Sequence, residues 1–359
     1  YSHPSFNSEN IELSATGLSF NLFQNLISHY NFYYLNDYIS IAGLATLSEN
    51  LNLKEDNRIF VKEMLKDIKY SKIKGLNYLV SRYLKKGSFE IEEIKVKINP
   101  KLNSPGRFGK PEISLNLLLE EEEKEIEKIL KEIEQIDKER YKIVKKLIHN
   151  IEKKDGFEER FLVFENIPES LCGLIASRLT EKFSLPFFVL SKKGDILKGS
   201  ARSPENYNLY ESLKKIKGSF LSFGGHKNAI GVKFYKDKEE EIKSYWKDLK
   251  IEKNSEKDYY DAILEIENIK PELLNYLDLL KPYGKGNNPP IFLSRNVQIK
   301  EIKKGEENKY WVKKKDVIFE CIFLTSKEIK KGTIDIFYTP EVKKIDGYYK
   351  IYLKIMNFK

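Results

Sequence analysis

Gly218-Ser219-Phe220-Leu221-Ser222-Phe223-Gly224-Gly225-His226-Lys227-Asn228-Ala229-Ile230-Gly231 is the stretch that decides how this chain is read. Its apolar run ends in Gly-Gly-His-Lys, which sets backbone N–H groups unshielded by any Cβ beside an imidazole and an ammonium. That combination suits an anionic oxygen, and a phosphate above all. The same residues also read as a tight turn between two core elements, because so short a motif has low specificity. Upstream, Lys198-Gly199-Ser200-Ala201-Arg202-Ser203 supplies hydroxyls and a guanidinium to complement the imidazole and the backbone donors. Two such segments close together favour an anion site over a plain turn.

The surroundings of these segments predict an α/β domain. Phe161-Leu162-Val163-Phe164, Phe187-Phe188-Val189-Leu190 and Ile230-Gly231-Val232-Lys233-Phe234 read as short buried strands. Ser170 to Phe183 and Tyr207 to Lys217 have helical periodicity, and the alternation points to a compact domain of roughly 90 residues. Before it, residues 113–153 lack Gly and Pro and carry Ile126, Ile129, Ile133, Ile136, Val144, Leu147 and Ile151 at near-heptad spacing. One helix of about 35 residues, roughly 50 Å long, is predicted there, with Asp155-Gly156 ending it. Glu120–Lys124, Glu127–Lys131 and Glu134–Lys138 read as i,i+4 pairs on a solvated face. After a charged linker near 236–257, Val297–Ile302, Val317–Leu324, Thr333–Tyr338 and Tyr348–Ile355 are strand-like, and Asp346-Gly347 signals a hairpin. Basic and aromatic residues interleave along these strands, which suits a small barrel binding single-stranded nucleic acid and also an ordinary β core.

Residues 1 to about 80 read as helical, with Leu18, Leu22 and Leu26 on one face and Val61, Leu65 and Ile68 on another. The apolar segment Tyr38–Leu53 is interrupted by the acid Glu49, which reads as a helix cap or as a metal ligand. Ile98–Pro111 holds three prolines and two glycines, so irregular structure is predicted over most of it. Arg107 in such a constrained loop presents a fork to a phosphate or simply edges a domain.

Composition sets the outer bounds. The chain of 359 residues has room for two or three domains, and 41% hydrophobic content excludes global disorder. Its 63 basic and 54 acidic residues leave a net charge of +9, which favours a polyanionic partner. Cys172 and Cys321 have neither metal-ligand nor disulfide spacing and read as reduced buried thiols. No apolar run approaches the roughly 18 residues of a membrane span, so no membrane partner and a cytoplasmic location are expected. The chain opens on Tyr1 rather than Met.

Taken together and in order, six segments resemble the RecJ family of single-stranded-DNA-specific exonucleases in the DHH/DHHA1 phosphoesterase superfamily. Ala45-Thr46-Leu47-Ser48-Glu49 with Asp56-Asn57-Arg58 resembles the family's GT(I/V)(A/S)D…ENR segment, and Pro100–Gly109 resembles PRLNAAGRMG. Cys172–Leu179, Lys198–Ser203 and Phe223–Gly231 are similar to GIVASRL, KGSGRS and FGGHxxAAG of the DHHA1 domain. Leu280–Pro290 is similar to the LAPFGxGNPEP that leads into the family's OB-fold.

The resemblance implies an α/β multidomain protein. Residues 1–112 would be the mostly helical C-terminal part of a DHH domain, 113–155 a long linker helix, 156–250 an α/β DHHA1 substrate-binding domain and 258–359 a β-barrel OB-fold. It implies 5′-to-3′ hydrolysis of single-stranded DNA in repair and recombination through a two-metal centre holding Mn²⁺ or Mg²⁺, with a helicase and a single-strand-binding protein as partners. Arg107, Arg178, Ser200, Arg202, Ser203, Gly224, Gly225 and His226 would hold substrate, His226 as hydrogen-bond donor or general acid. Glu49 stands where the family has an aspartate metal ligand, one methylene shorter. The family's Asp-His-His triplet is expected upstream of Tyr1, so that most metal ligands precede this chain and the chain alone is inactive. Three alternatives have other consequences: an inactive nucleic-acid-binding relative, which Glu49 favours; a DHH–DHHA1 phosphodiesterase for short oligonucleotides or cyclic dinucleotides, which leaves the C-terminal strands unexplained; and a detached DHHA1 module like that of alanyl-tRNA synthetases, which leaves residues 1–110 unexplained.

Overall fold

The computed structural model describes residues 12–28, 36–84, 89–152, 160–249, 259–304, 307–324, 332–345 and 348–359. Asp155-Gly156 and Asp346-Gly347 lie outside the described residues. Two compact units form, both discontinuous in sequence: residues 1–67, 88–91 and 256–359 make one, and residues 68–87 and 92–255 the other.

The first unit joins three helices to a barrel. Helices α1 (Ala15–Ser28), α2 (Asn36–Ser48) and α3 (Glu55–Asp67) pack through Leu13, Phe20, Ala42 and Phe60, with the Phe20 and Phe60 rings edge to face at 5.4 Å. Buried Asn57 ties the α2–α3 connection by donating from Nδ2 to the Glu12 and Asn52 carbonyls at 2.5 and 3.1 Å. The C-terminal strands close on themselves as the sequence leads one to expect. Strands β7 (Phe292–Lys304), β8 (Glu307–Lys314), β9 (Val317–Phe323), β11 (Tyr348–Phe358) and β10 (Thr333–Ile345) are neighbours in that order, and β10 also pairs with β7. Closure leaves the ring without a free edge. The β9–β11 pair is parallel and the other four are antiparallel, around a core that includes Val297, Val312, Ile336, Tyr338, Leu353 and Ile355. A two-residue strand β6 (Ala262–Ile263) runs parallel to β7, and α12 (Pro271–Leu279) precedes the barrel.

Contact between the helices and the barrel leader is specific. The Leu53 N–H donates to the Lys285 carbonyl at 2.7 Å, and Arg58 Nη2 donates to the carbonyls of Leu279, Leu280 and Lys281 at 3.1, 3.0 and 3.2 Å. These three carbonyls lie at the C-terminal end of α12, where backbone acceptors have no partner within the helix and a cation is favoured. Arg58 therefore serves as a clasp, reaching the leader from the first turn of α3.

The second unit contains α4 (Lys74–Tyr83), α6 (Asn99–Arg107), α7 (Pro111–Leu119), α8 (Glu123–Glu152) and an α/β sheet. The short α5 (Ile91–Glu93) and a π-helical turn (Ile94–Ile98) run without a break into α6. Ile98–Pro111 is thus largely helical, contrary to the irregular loop predicted from its prolines. Pro100 comes straight after the π-helical turn, where the Asn99 N–H bonds five residues back to the Ile94 carbonyl, and Pro105 falls in the last turn of α6. The single long helix is also two helices. Glu120 ends α7, and its Oε1 accepts the backbone N–H groups of Glu121 and Glu122, each at 2.9 Å, at the start of α8. Its carboxylate acts as a cap rather than as a partner for Lys124.

Strands β1 (Phe161–Glu165), β2 (Phe187–Lys193), β3 (Ile196–Arg202), β5 (Ala229–Tyr235) and β4 (Ser222–His226) form one sheet in that order, parallel between β1 and β2 and antiparallel elsewhere. Both faces are covered over the first half of β2, where Phe187 to Leu190 are all apolar and buried. Phe187 and Val189 meet α9 (Glu169–Phe183) and the end of α8, whereas Phe188 and Leu190 share a core with Leu209 and Leu213 of α10 (Leu209–Lys214) and Ile242 and Trp246 of α11 (Glu239–Lys247).

Candidate nucleic-acid-binding site

Helix α6, helix α9 and strand β3 bring two arginines together. Arg107, the last residue of α6, donates from Nη1 to the Ser170 carbonyl at 2.8 Å, and the Ser170 hydroxyl donates back to the Arg107 carbonyl. The pair locks the end of α6 to the first turn of α9. Arg202, the last residue of β3, donates from Nε to Ser177 Oγ at 3.2 Å on the same helix. Its guanidinium lies over Gly173, where a Cβ would stand 3.1 Å from Nη2, so the smallest side chain at 173 makes room for the arginine.

Charge is concentrated at this place without compensation. Burial pushes the Arg202 pKa down, and the positive charge of Arg107 pushes it further the same way. Burial also lowers Arg107, with Arg140 as the neighbouring cation. Neither Arg107 nor Arg202 has a carboxylate partner among the described residues. Two partly desolvated guanidiniums of like sign repel, and an anion with several acceptor oxygens relieves both. Arg178, one residue beyond Ser177, is half-buried.

The Gly-Gly-His stretch is a β-hairpin at the sheet edge. In β4, Gly224 faces Gly231, Gly225 faces Ile230 and His226 faces Ala229 of β5, and residues 224–226 are exposed. Gly225 has φ +145°, and a Cβ there would lie 2.1 Å from the Ala229 carbonyl oxygen. The turn after it is tied inward. The Lys227 carbonyl accepts the Leu209 N–H at the start of α10 at 2.7 Å, and Asn228 Nδ2 donates to Pro204 O, Tyr207 O and Ser203 Oγ at 2.6, 2.8 and 3.2 Å.

Both serines proposed from the sequence donate inward. Ser200 Oγ donates to the Ile230 carbonyl at 2.8 Å and Ser203 Oγ to the Tyr207 carbonyl at 3.1 Å, both from buried positions. Gly173, Ser170 and Ser177 were not singled out from the sequence, although all three lie in or beside the apolar Cys172–Leu179 segment. Small residues at one-turn spacing on a helix otherwise built of Leu and Ile were the available signal. Cys172 is buried and its thiol is pushed up to about 12, as an inert core cysteine requires.

Glu49 follows the last turn of α2, and its N–H bonds to the Ala45 carbonyl at 2.9 Å. The residue is exposed overall while its carboxyl is partly desolvated, which raises its pKa. Among the described residues no three His, Cys, Asp or Glu side chains gather as a metal site. Glu49 by itself does not make a two-metal centre. No described helix is long and apolar enough to cross a membrane.

The DHHA1 domain family matches residues 159–250, and the RecJ OB domain family matches residues 260–357. The single-stranded-DNA-specific exonuclease RecJ of Bacillus subtilis is 26% identical over 344 residues, covering 90% of this chain and 43% of the relative. That of Thermus thermophilus is 26% identical over 268 residues, covering 72% and 38%. The chain therefore spans about two fifths of the length of the curated relatives it matches. Crystal structures of Thermus thermophilus RecJ in complex with Mn²⁺ and with Mg²⁺ each share the fold at a TM-score of 0.84 and 20% identity, covering 99% of this chain and 55% and 58% of theirs. The chain thus carries a DHHA1 domain followed by a RecJ OB domain, and RecJ exonucleases align along most of its length.

Proposed function

We propose that this chain is the substrate-gripping portion of a single-stranded-DNA-specific 5′-to-3′ exonuclease that hydrolyses phosphodiester bonds in repair and recombination in the cytoplasm. The observation that carries the proposal is the uncompensated pair Arg107 and Arg202, held by backbone and hydroxyl contacts that leave each guanidinium capacity for phosphate oxygens. In this proposal Arg178 and the exposed Gly224-Gly225-His226 edge extend the grip, and Ser200 and Ser203 fix the backbone that presents Arg202. Residues 113–155 join the DHH part in 1–112, which carries Arg107, to the DHHA1 part in 156–250, which carries Arg202, and the barrel in 258–359 binds single-stranded DNA. Glu49 would contribute one ligand to a divalent-metal centre, which when it holds Mn²⁺ or Mg²⁺ would supply Lewis-acid chemistry for phosphodiester hydrolysis. A helicase and a single-strand-binding protein would supply the strand.

Titration of a fluorescent single-stranded oligonucleotide tests the grip. Arg202→Ala is expected to weaken binding roughly 10- to 100-fold at low salt, the worth of a charge-assisted hydrogen bond to phosphate. Wild-type affinity should fall steadily as salt rises, and the variant should show a shallower slope. Unchanged affinity in Arg202→Ala, or a flat salt response in the wild type, would sink the proposal.

A further inference from the structure

Behind Arg107 lies a group of side chains that the sequence did not mark. Asp137 and Arg140 sit on α8, one turn apart, and Arg140 is buried. Asp137 Oδ1 accepts from Arg140 Nη2 at 2.8 Å and Nε at 3.0 Å, and lies 2.8 Å from Ser104 Oγ, whose one proton it shares with the Pro100 carbonyl. Lys101 Nζ stands 3.6 Å from its other oxygen and 4.0 Å from the centre of the Tyr83 ring. One carboxylate thus serves three donors, two of them on α6. Ser104 lies three residues before Arg107, on the last turn of the same helix.

We propose that Asp137 is a positioning residue for the anion site, seating the end of α6 through Ser104 so that Arg107 meets Ser170 and faces Arg202. It also neutralises Arg140, which would otherwise add a buried positive charge behind two arginines that have no acid of their own. The inference rests on Arg107 and Arg202 forming the substrate grip, and it goes beyond that grip by naming what sets its geometry. A carboxylate suits the place for a physical reason. It accepts several donors at once and carries the one negative charge that the arginine cluster can hold without closing the site to an anion. Its pKa lies below the usual carboxylate range although burial opposes ionisation, because Ser104, Arg140 and Lys101 outweigh the burial.

Removing Asp137 outright risks unfolding, so the mild variant Ser104→Ala carries the test. In the protein labelled with ¹⁵N-arginine, Ser104→Ala is expected to shift or broaden the Arg107 side-chain Nε–H signal. It should weaken single-stranded-oligonucleotide binding roughly 3- to 10-fold with Arg107 present, and have no further effect in an Arg107→Ala background. A merely structural role predicts the same factor in both backgrounds, and that result would overturn the positioning role. So would an unmoved Arg107 signal, whatever happens to DNA affinity. If the signal moves as expected while Arg107→Ala itself leaves DNA affinity unchanged, the substrate grip is overturned instead.

Discussion

Arg202 and Gly225 show how differently two residues of neighbouring motifs are constrained. Arg202 is set by what it faces, another arginine and a hydroxyl, and Gly225 by what lies behind it, the Ala229 carbonyl. Gly225→Ala has to place a Cβ 2.1 Å from an oxygen at φ +145°, so it should cost roughly 2 kcal/mol or more, read as a lowered melting temperature. A melting temperature equal to that of the wild type would show that the hairpin relaxes freely. Residue types were legible in the sequence, and their directions were not. Ser200 and Ser203 are good phosphate donors on paper, but the Ile230 and Tyr207 carbonyls take their hydrogens. Arg140 carried a usable signal, since a charge stands four residues before buried Val144, at a position where heptad spacing calls for an apolar residue.

Helix α8 is the element that organises the second unit. Its apolar stripe, including Ile126, Leu130, Ile133 and Val144, was plain from spacing, whereas its acidic face was misread as solvated. Arg82 of α4 pairs with Glu127 at 2.5 Å and Glu134 at 3.2 Å, the Tyr83 hydroxyl donates to Glu134, and α6 grips Asp137. Charge alternation on one helix looks the same whether partners lie within the helix or across from it. Glu134 is held below the usual carboxylate range by the Tyr83 hydroxyl and Arg82, and Asp137 by Ser104 and Arg140 against its burial. A carboxyl with a lowered folded pKa binds fewer protons folded than unfolded. Its contribution is therefore complete above the unfolded value near 4 and is lost as pH falls through the folded value. Melting temperature should thus drop as pH goes from about 4 to about 2, and Asp137→Asn should flatten part of that decline. An acid limb with the same steepness in Asp137→Asn would contradict this assignment. Prolines misled the reading of α6 because Pro100 follows a π-helical turn and Pro105 falls in the last turn, and neither stops the helix.

At the scale of the whole chain, the barrel was legible from strand length and alternation, but the clasp that seats its leader was not. Arg58 and Leu280 are 222 positions apart, and nothing local in either segment requires the other. Arg58→Ala leaves three carbonyls at the end of α12 without that donor and should cost roughly 1–3 kcal/mol in unfolding free energy, measured in urea. An unchanged transition would mean that water satisfies those carbonyls equally well. The clasp also imposes an order on biosynthesis. Arg58 leaves the ribosome more than two hundred residues ahead of the carbonyls it will hold, a wait of roughly 10–45 s at 5–20 residues per second. Throughout that interval α1–α3 have no barrel leader to dock against, while residues 68–87 and 92–255 emerge and complete the other unit. Helices α1–α3 therefore complete their contact with the barrel leader only after the unit that follows them in sequence has been made, and the surface that awaits the leader is open to a chaperone in the meantime.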